Sequence, residues 1–427
     1  MERIKHNFLY NLGISLGKFL ISSTYRIQNN NNVKKKLLMR KITTIEDLRA
    51  QYRAKVPKMF YDYTESGSWT QQTLKENSSD FSLLKLRQKV AVDMSNRSTK
   101  STMIGQEVAM PVALAPVGLT GMQSADGEIK AAKAAEKFGI PYTLSTMSIC
   151  SIEDVADNTD SPFWFQLYVM KDEDFLTAII ERARNANCSA LVLTLDLQLL
   201  GQRHLDIKNG LSVPLRISLK NWFDTATKPI WCSQMLRTKR KSFGNIVGHV
   251  KGVTNVSSLM EWTANQFDLT LDWTAVEKIK KMWGGKLILK GILDVDDAKR
   301  AEQCGVDAII VSNHGGRQLD GASSSIRILP DILEAVSSDL EVHMDGGIRS
   351  GQDVLKTIAM GAKGTYIGRS YIYGLGAAGE VGVSKALEII HKELDMTMAL
   401  CGHRDIQELS RENLLIPKDF KLSETLL

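Results

Sequence analysis

The chain has 427 residues, 43% of them hydrophobic and 24% charged, with a formal net charge of +6 at pH 7. That length buries a large core and fits one α/β barrel with additions, while the mild positive balance allows anionic substrates or an anionic surface without calling for nucleic acid. Five cysteines (Cys150, Cys188, Cys232, Cys304 and Cys401) are scattered, odd in number and without C-x-x-C spacing. This argues against a disulfide framework and a zinc site, and for a reducing compartment. No metal is expected, and no apolar run is long enough to span a bilayer.

Residues 1–43 form a basic extension. Arg3, Lys5, Lys18, Arg26, Lys34, Lys35, Lys36, Arg40 and Lys41 stand against one acid, Glu2, and residues 8–20 carry a helical apolar rhythm. Such a segment reads equally as a mitochondrial transit peptide, a surface anchor or a disordered extension. The polar run 29–32 reads as a linker. Thr44-Ile45-Glu46-Asp47-Leu48 predicts a capped helix start.

A βα rhythm follows. Strands are predicted at 111–116, 140–145, 163–168, 190–196, 286–291, 308–313, 341–347 and 364–369. Helices are predicted at 127–138, 152–158, 173–186, 295–304, 329–336, 351–360 and 383–394. Eight strands alternating with helices predict an α/β protein, a (β/α)8 TIM barrel with an amino-terminal helical segment. Its domain is expected over 44–413, with 414–427 as a tail. Residues 204–285, between the fourth and fifth strands, are too many for an ordinary connection and predict a long insertion.

The carboxyl ends of those strands collect polar residues, and that rim is where such barrels keep their chemistry. Strand three ends in Gln166-Leu167-Tyr168, strand four in Thr194-Leu195-Asp196 and strand five in Lys290. Strands seven and eight end in Asp345-Gly346-Gly347-Ile348-Arg349 and Gly368-Arg369. A single residue of this kind is commonly a cap; so many on one rim read as one site. Barrels often bind phosphate after strands seven and eight. Gly346, Gly347 and Gly368 let backbone amides approach an anion that Arg349 and Arg369 would neutralise. Lys290 ends an apolar strand and needs a partner there. No G-x-G-x-x-G follows a strand, which disfavours NAD.

Strand six runs into Ser312-Asn313-His314-Gly315-Gly316-Arg317-Gln318-Leu319-Asp320. Met by itself, His314 would satisfy a turn and Arg317 would sit on the surface. Together they offer a group that titrates near neutrality and a rigid fork for a carboxylate, which points to a small organic acid that loses a proton. The stretch resembles the S-N-H-G-x-R-Q-L-D signature of the FMN-dependent 2-hydroxy acid dehydrogenase and oxidase family. The resemblance runs from Thr44 to about Asn413.

The resemblance implies FMN as cofactor. It implies a phosphate site at Gly346, Gly347, Arg349, Gly368 and Arg369, with Asp345 on the ribityl chain. Lys290 would lie beside the pyrimidine edge of the flavin; Ser145, Gln166, Thr194 and Ser312 would belong to the cofactor site, and Ala115-Pro116-Val117 would line it. His314 would be the base and Asp196 its acidic partner. Arg317 and Tyr63 would hold the substrate carboxylate, Tyr168 the hydroxyl or developing carbonyl, and Arg203 would stand near the substrate. Three departures are visible. Gln198 replaces a proline common in the oxidases; Gly118 stands where oxidases often carry alanine and dehydrogenases more often glycine; Met147 stands where glycolate oxidase-like members carry tryptophan. Gly201-Gln202-Arg203-His204 and Gly244-Asn245-Ile246-Val247-Gly248-His249 bring the chain nearest to the bacterial-type L-lactate dehydrogenase branch.

The expected activity is oxidation of an L-2-hydroxy acid, L-lactate to pyruvate foremost, with electrons leaving for quinone or a cytochrome. The rivals are a peroxide-producing oxidase of the same family and a flavin-binding membrane or partner module without catalysis. Residues 1–43 are too few for a haem domain. In the insertion, Lys220, Lys228, Arg237, Lys239, Arg240 and Lys241 alternate with Trp222, Phe223, Ile230, Trp231, Met235 and Leu236. That pattern suits an anionic bilayer surface, or a lid over the barrel or a neighbouring subunit. The family implies a homotetramer. The expected location is the cytoplasm or the cytoplasmic face of the inner membrane, or the mitochondrion if the leader is a transit peptide.

Overall fold

A computed structural model describes residues 39–211, 218–250 and 266–422. Contacts divide the chain into two units, Met1–Thr43 and Thr44–Leu427. The amphipathic stretch 8–20, the linker 29–32 and the tail residues 423–427 lie outside the described residues.

The larger unit is the expected (β/α)8 barrel. Its strands are β1 (Val112–Leu114), β2 (Thr143–Ser145), β3 (Trp164–Leu167), β4 (Ala190–Thr194), β5 (Lys286–Ile292), β6 (Ala308–Val311), β7 (Glu341–Asp345) and β8 (Gly364–Ile367). All pairings are parallel in the order β1-β8-β7-β6-β5-β4-β3-β2, and a bridge from Leu114 to Tyr142 joins the two ends. Runs such as Leu191-Val192-Leu193 and Ile309-Ile310-Val311 are wholly buried, as strands must be when helices cover one side and the lumen the other. The lumen is filled by Ala113, Ala190, Val192, Ile288, Ala308 and Ile310 around the larger Trp164 and Tyr366. The hairpin Ser101–Met103/Gln106–Val108 plugs the amino-terminal end of the barrel. There the Ile104 amide donates to Glu341 Oε2 at 2.8 Å, and the same oxygen pairs with His343 Nε2 at 3.0 Å.

The helices α1 (Ile45–Lys55), α2 (Lys58–Glu65) and α3 (Gln72–Ser79) precede the barrel strands. Thr44 and Asp47 form the capping box of α1, as the sequence predicts. The helices α4 (Gly127–Phe138), α5 (Ile152–Ala156) and α6 (Glu173–Asn185) follow β1, β2 and β3. After β4 the chain forms α7 (His204–Lys208), α8 (Leu219–Ala226), α9 (Pro229–Arg237) and α10 (Trp273–Trp283). Then come α11 (Val295–Gln303), α12 (Ser325–Ala335), α13 (Gly351–Met360), α14 (Arg369–Ala378) and α15 (Glu380–Leu400).

Three differences from the sequence reading have local causes. The span 204–285 is not all inserted chain: α10 packs on α6 and β5 as the ordinary helix between β4 and β5. Helix α12 begins four residues before the predicted start and carries Pro330 inside it, because the apolar face Ile326, Leu329 and Ile332 is buried there. Helix α14 was hidden by Gly374 and Gly376, two residues poor at holding a helix alone. Gly374 and Gly376 permit backbone contact with Gly382 and ring contact with Tyr52, which a Cβ would block at 2.2 and 2.1 Å.

Candidate active site

At the carboxyl rim, β4 and β6 bring two groups together. His314 Nδ1 lies 2.9 Å from Asp196 Oδ1. The chain turns back sharply to deliver the imidazole, with His314, Gly315 and Gly316 all left-handed at φ 58°, 63° and 73°, and the His314 amide donates to Ser312 Oγ. Gly291 makes room for the carboxylate: a Cβ there would lie 2.7 Å from Asp196 Cγ. Burial pushes the His314 imidazole below its usual range, and Asp196 only partly opposes that. Burial pushes the Asp196 carboxyl up, but His314 and Lys290 outweigh it and hold the carboxyl below its usual range. The resting pair is therefore a neutral imidazole beside a carboxylate. Asp196 can only accept, so Nδ1 carries the proton and Nε2 keeps a free lone pair.

Beside this pair stand two guanidiniums and two phenols. Arg317 Nη1 donates to the carbonyls of Tyr63 and Ser66 at 2.6 and 3.1 Å, and its Cζ sits 4.7 Å from the centre of the Tyr63 ring. Arg203 approaches the same ring at 5.9 Å. Burial, then the charge of Arg203, depresses Arg317; burial and nearby Asp196 push the Tyr168 phenol up, so it is a hydroxyl donor at neutral pH. Tyr63 reaches the rim because α2 is tied to it by these backbone carbonyls.

A second, adjoining region is built on β5, β7 and β8. Lys290 is buried, donates to Ser312 Oγ at 2.8 Å and pairs with Asp345 Oδ2 at 3.1 Å. Asp345 Oδ1 is buried without a protein partner, an oxygen that a bound hydroxyl would satisfy. Gly347 is left-handed at φ 82°, and a Cβ there would lie 1.7 Å from the Asn77 carbonyl. Arg369 donates to the carbonyls of Thr64, Gly315 and Ser66. Burial, Arg349 and Arg317 push it down to about 9, the mark of cations gathered for an anion. Ser145, Gln166 and Thr194 form one hydrogen-bonded chain across β2, β3 and β4.

The two regions share one cavity of ≈ 280 Å³. Tyr63, Tyr168, Arg203, His314 and Arg317 line it, as do Ala115, Pro116, Val117, Thr194, Lys290, Asp345, Gly346, Gly347, Arg349, Gly368 and Arg369. Asp196, Ser145, Gln166 and Ser312 lie behind the wall and each bonds to a residue in front of it or to a neighbour that does. Sequence reasoning missed the apolar wall of Leu197, Leu200, Leu211, Phe243 and Phe267. Phe267 stands edge-on to Tyr168, with ring centres 5.7 Å apart. It also missed Asn77, whose amide exchanges hydrogen bonds with Asn313 at 2.8 Å.

Residues 52–416 match the family model described as FMN-dependent dehydrogenase. A Vibrio parahaemolyticus protein named L-lactate dehydrogenase is 43% identical over 375 residues, 88% of this chain and 99% of that one. An Actinobacillus pleuropneumoniae protein of the same name is 41% identical, covering 88% and 98%. Among solved structures, a monotopic membrane protein, (S)-mandelate dehydrogenase, superposes with TM-score 0.84 at 34% identity, over 88% of this chain and all of that one. Mandelate oxidase with (S)-4-hydroxymandelic acid superposes with TM-score 0.74 at 33% identity, over 88% and 98%.

The residues present fit the cofactor such relatives use: a partnerless carboxylate oxygen, glycines that admit close approach, and concentrated positive charge. Gly347→Ala tests this cradle. Its Cβ would collide with α3, so the substitution should cost about 1–3 kcal/mol of stability and weaken FMN retention. Urea unfolding and flavin fluorescence after dialysis check both; an unchanged flavin content would contradict the assignment.

Proposed function

The chain belongs to the family of FMN-dependent dehydrogenases, and on that premise we propose that it oxidises L-2-hydroxy acids, L-lactate foremost, to 2-keto acids, with quinone or a cytochrome receiving the electrons. One observation carries the reading: the His314–Asp196 pair opens into the same cavity as Arg317, Arg203, Tyr63 and Tyr168. The relatives named L-lactate dehydrogenase favour lactate over larger acids.

Each side chain then has a task. Arg317 and Tyr63 hold the substrate carboxylate, Arg317 through its planar fork; Arg203 completes the clamp. Tyr168 donates to the substrate oxygen. His314 Nε2 takes a proton from the substrate, and Asp196 compensates the charge that the imidazole gains. Asp345, Lys290, Gly346, Gly347, Arg349, Gly368 and Arg369 would hold FMN, with Thr194 and the Ala115-Pro116-Val117 backbone along it. Bound FMN supplies the two-electron acceptor. Lys290, buried beside Asp345, would balance negative charge gained by the bound cofactor.

We assign the electron exit to a membrane surface. No helix among the described residues is long and apolar enough to cross a membrane. Helices α8 and α9 bury no side chain, and Leu219, Trp222, Phe223, Ile230 and Leu236 are 64–78% exposed. Lys220, Lys239 and Lys241 lie in the same segment. Trp231 and Arg240 instead fasten it to the barrel. Trp231 stacks on Phe60 at 5.6 Å, and Arg240 pairs with Asp126 and Asp154 at 3.0 and 2.7 Å. Exposed apolar side chains each gain about 1.5–3 kcal/mol on burial, and each lysine near an anionic surface about 1 kcal/mol.

His314→Gln should keep its yellow flavin while L-lactate-driven dye reduction falls by about 10²–10⁴; retained turnover would remove His314 as the base. In the wild type, dye or quinone reduction should far exceed oxygen uptake, and the reverse would make it an oxidase. Replacing Trp222, Phe223 and Ile230 together by serine should abolish co-flotation with phosphatidylserine-containing vesicles and leave flavin reduction by lactate unchanged. Undiminished flotation would contradict docking through α8 and α9.

A further inference from the structure

Arg203, Arg317 and Arg369 are three of the four guanidiniums that line the cavity, and they are anchored differently. Arg369 uses Nε, Nη1 and Nη2 on the carbonyls of Thr64, Gly315 and Ser66. Arg317 uses Nη1 on two carbonyls. Arg203 has one anchor: its Nε donates to Asp206 Oδ2 at 2.6 Å. Among the described residues neither η-nitrogen of Arg203 has a hydrogen-bond partner. Both η-nitrogens of its planar edge are therefore open, and the guanidinium lies over Tyr63 in the cavity wall.

Asp206 is itself held. It is only 5% exposed, sits in α7, and its Oδ1 accepts from Ser66 Oγ at 3.3 Å. The Ser66 carbonyl is the one that receives both Arg317 and Arg369. Asp206 is thus joined to the clamp from two sides, through Arg203 and through Ser66. A buried carboxylate with this geometry holds a guanidinium by Nε and leaves the η edge for a second anion. Without it, Arg203 would have no hydrogen-bond partner among the described residues, and repulsion from Arg317 would turn it towards solvent.

We infer that Asp206 is a positioning residue that fixes Arg203 by Nε and presents its open edge to the carboxylate of the 2-hydroxy acid; the inference rests on the carboxylate clamp proposed above. Loss of the anion by itself would make the cavity more positive and favour an anionic ligand. Loss of the only anchor works the other way, and it wins, because a freely turning side chain no longer offers a fork. The two effects separate by substitution. Asp206→Asn keeps an acceptor for Nε and drops the charge; Asp206→Ala drops both.

The test uses FMN-loaded protein, with L-lactate turnover and the flavin absorbance change on binding oxalate as readouts. Asp206→Ala should raise KM for lactate and Kd for oxalate about tenfold, the loss of one charge-assisted contact. Its kcat should change less, and its FMN content should stay that of the wild type. Asp206→Asn should restore both affinities to wild-type values or better. If the alanine variant does not fold, Asp206→Leu, which fills the volume without an acceptor, takes its place with the same expectation. In an Arg203→Leu background, Asp206→Ala should have no further effect on oxalate. Wild-type affinities in Asp206→Ala, equal impairment in Asp206→Asn, or a full effect without Arg203 would each overturn the inference. If the wild-type flavin is reduced by no 2-hydroxy acid, the proposed function fails, and oxalate binding still decides the role of Asp206.

Discussion

The 2.9 Å contact between His314 Nδ1 and Asp196 Oδ1 is the constraint around which the rim is built. It spans two strands that are not neighbours in the sheet, since β5 lies between β4 and β6. The chain must therefore turn back at the end of β6, and it does so through three successive left-handed residues. The strand crossed must offer no side chain at that level, and Gly291 is the residue there. A left-handed histidine costs on the order of 1 kcal/mol, sustained because Ser312 and Asn313 bond the loop at His314 and Gly316. The same contact decides the chemistry available, because it leaves Nε2 as a free acceptor inside the cavity.

Charge is the second constraint. Lys290, Arg203, Arg317, Arg349 and Arg369 all line one cavity, whereas Asp345 is the one acid among the described residues that lines it. Asp196 and Asp206 act from behind the wall, Asp196 on His314 and Asp206 on Arg203 and Ser66. Backbone carbonyls of Tyr63, Thr64, Ser66 and Gly315 absorb much of the remaining hydrogen-bonding capacity. A barrel rim loaded in this way pays in desolvation, and that cost is recovered only when anions bind. A flavin phosphate and a substrate carboxylate are two such anions, and their proposed positions coincide with the two ends of the cationic row.

Much of this was legible in the sequence for a physical reason. Strands buried on both faces must be short, continuous apolar runs, so Leu191-Val192-Leu193 and Ile309-Ile310-Val311 announce themselves. In a barrel, the polar residue just after each run must stand on one rim, so Gln166, Lys290 and Asp345 could be grouped without coordinates. The apolar wall could not. Phe243 and Phe267 lie within or beyond the long excursion after β4, and no local period reports which residues of such an excursion return to the mouth. Asp206 was equally hidden, since its role depends on which nitrogen of Arg203 it takes. Helix α14 was obscured because its glycines serve helix packing rather than local propensity.

The central claim is that a neutral His314, held by Asp196, takes the substrate proton. The most direct measurement is anaerobic rapid mixing of FMN-loaded protein with low L-lactate across pH, following flavin absorbance, because the second-order rate reports the free enzyme. Protonated His314 cannot accept a proton, and burial sets its folded pKa below the ordinary 6.5. The rate should therefore rise with pH through one ionisation centred below that value and be level at neutrality. Asp196 opposes the depression, so Asp196→Asn should move the midpoint further down and lower the plateau. A rate independent of pH through the acid range, or a midpoint that rises in Asp196→Asn, would contradict the account.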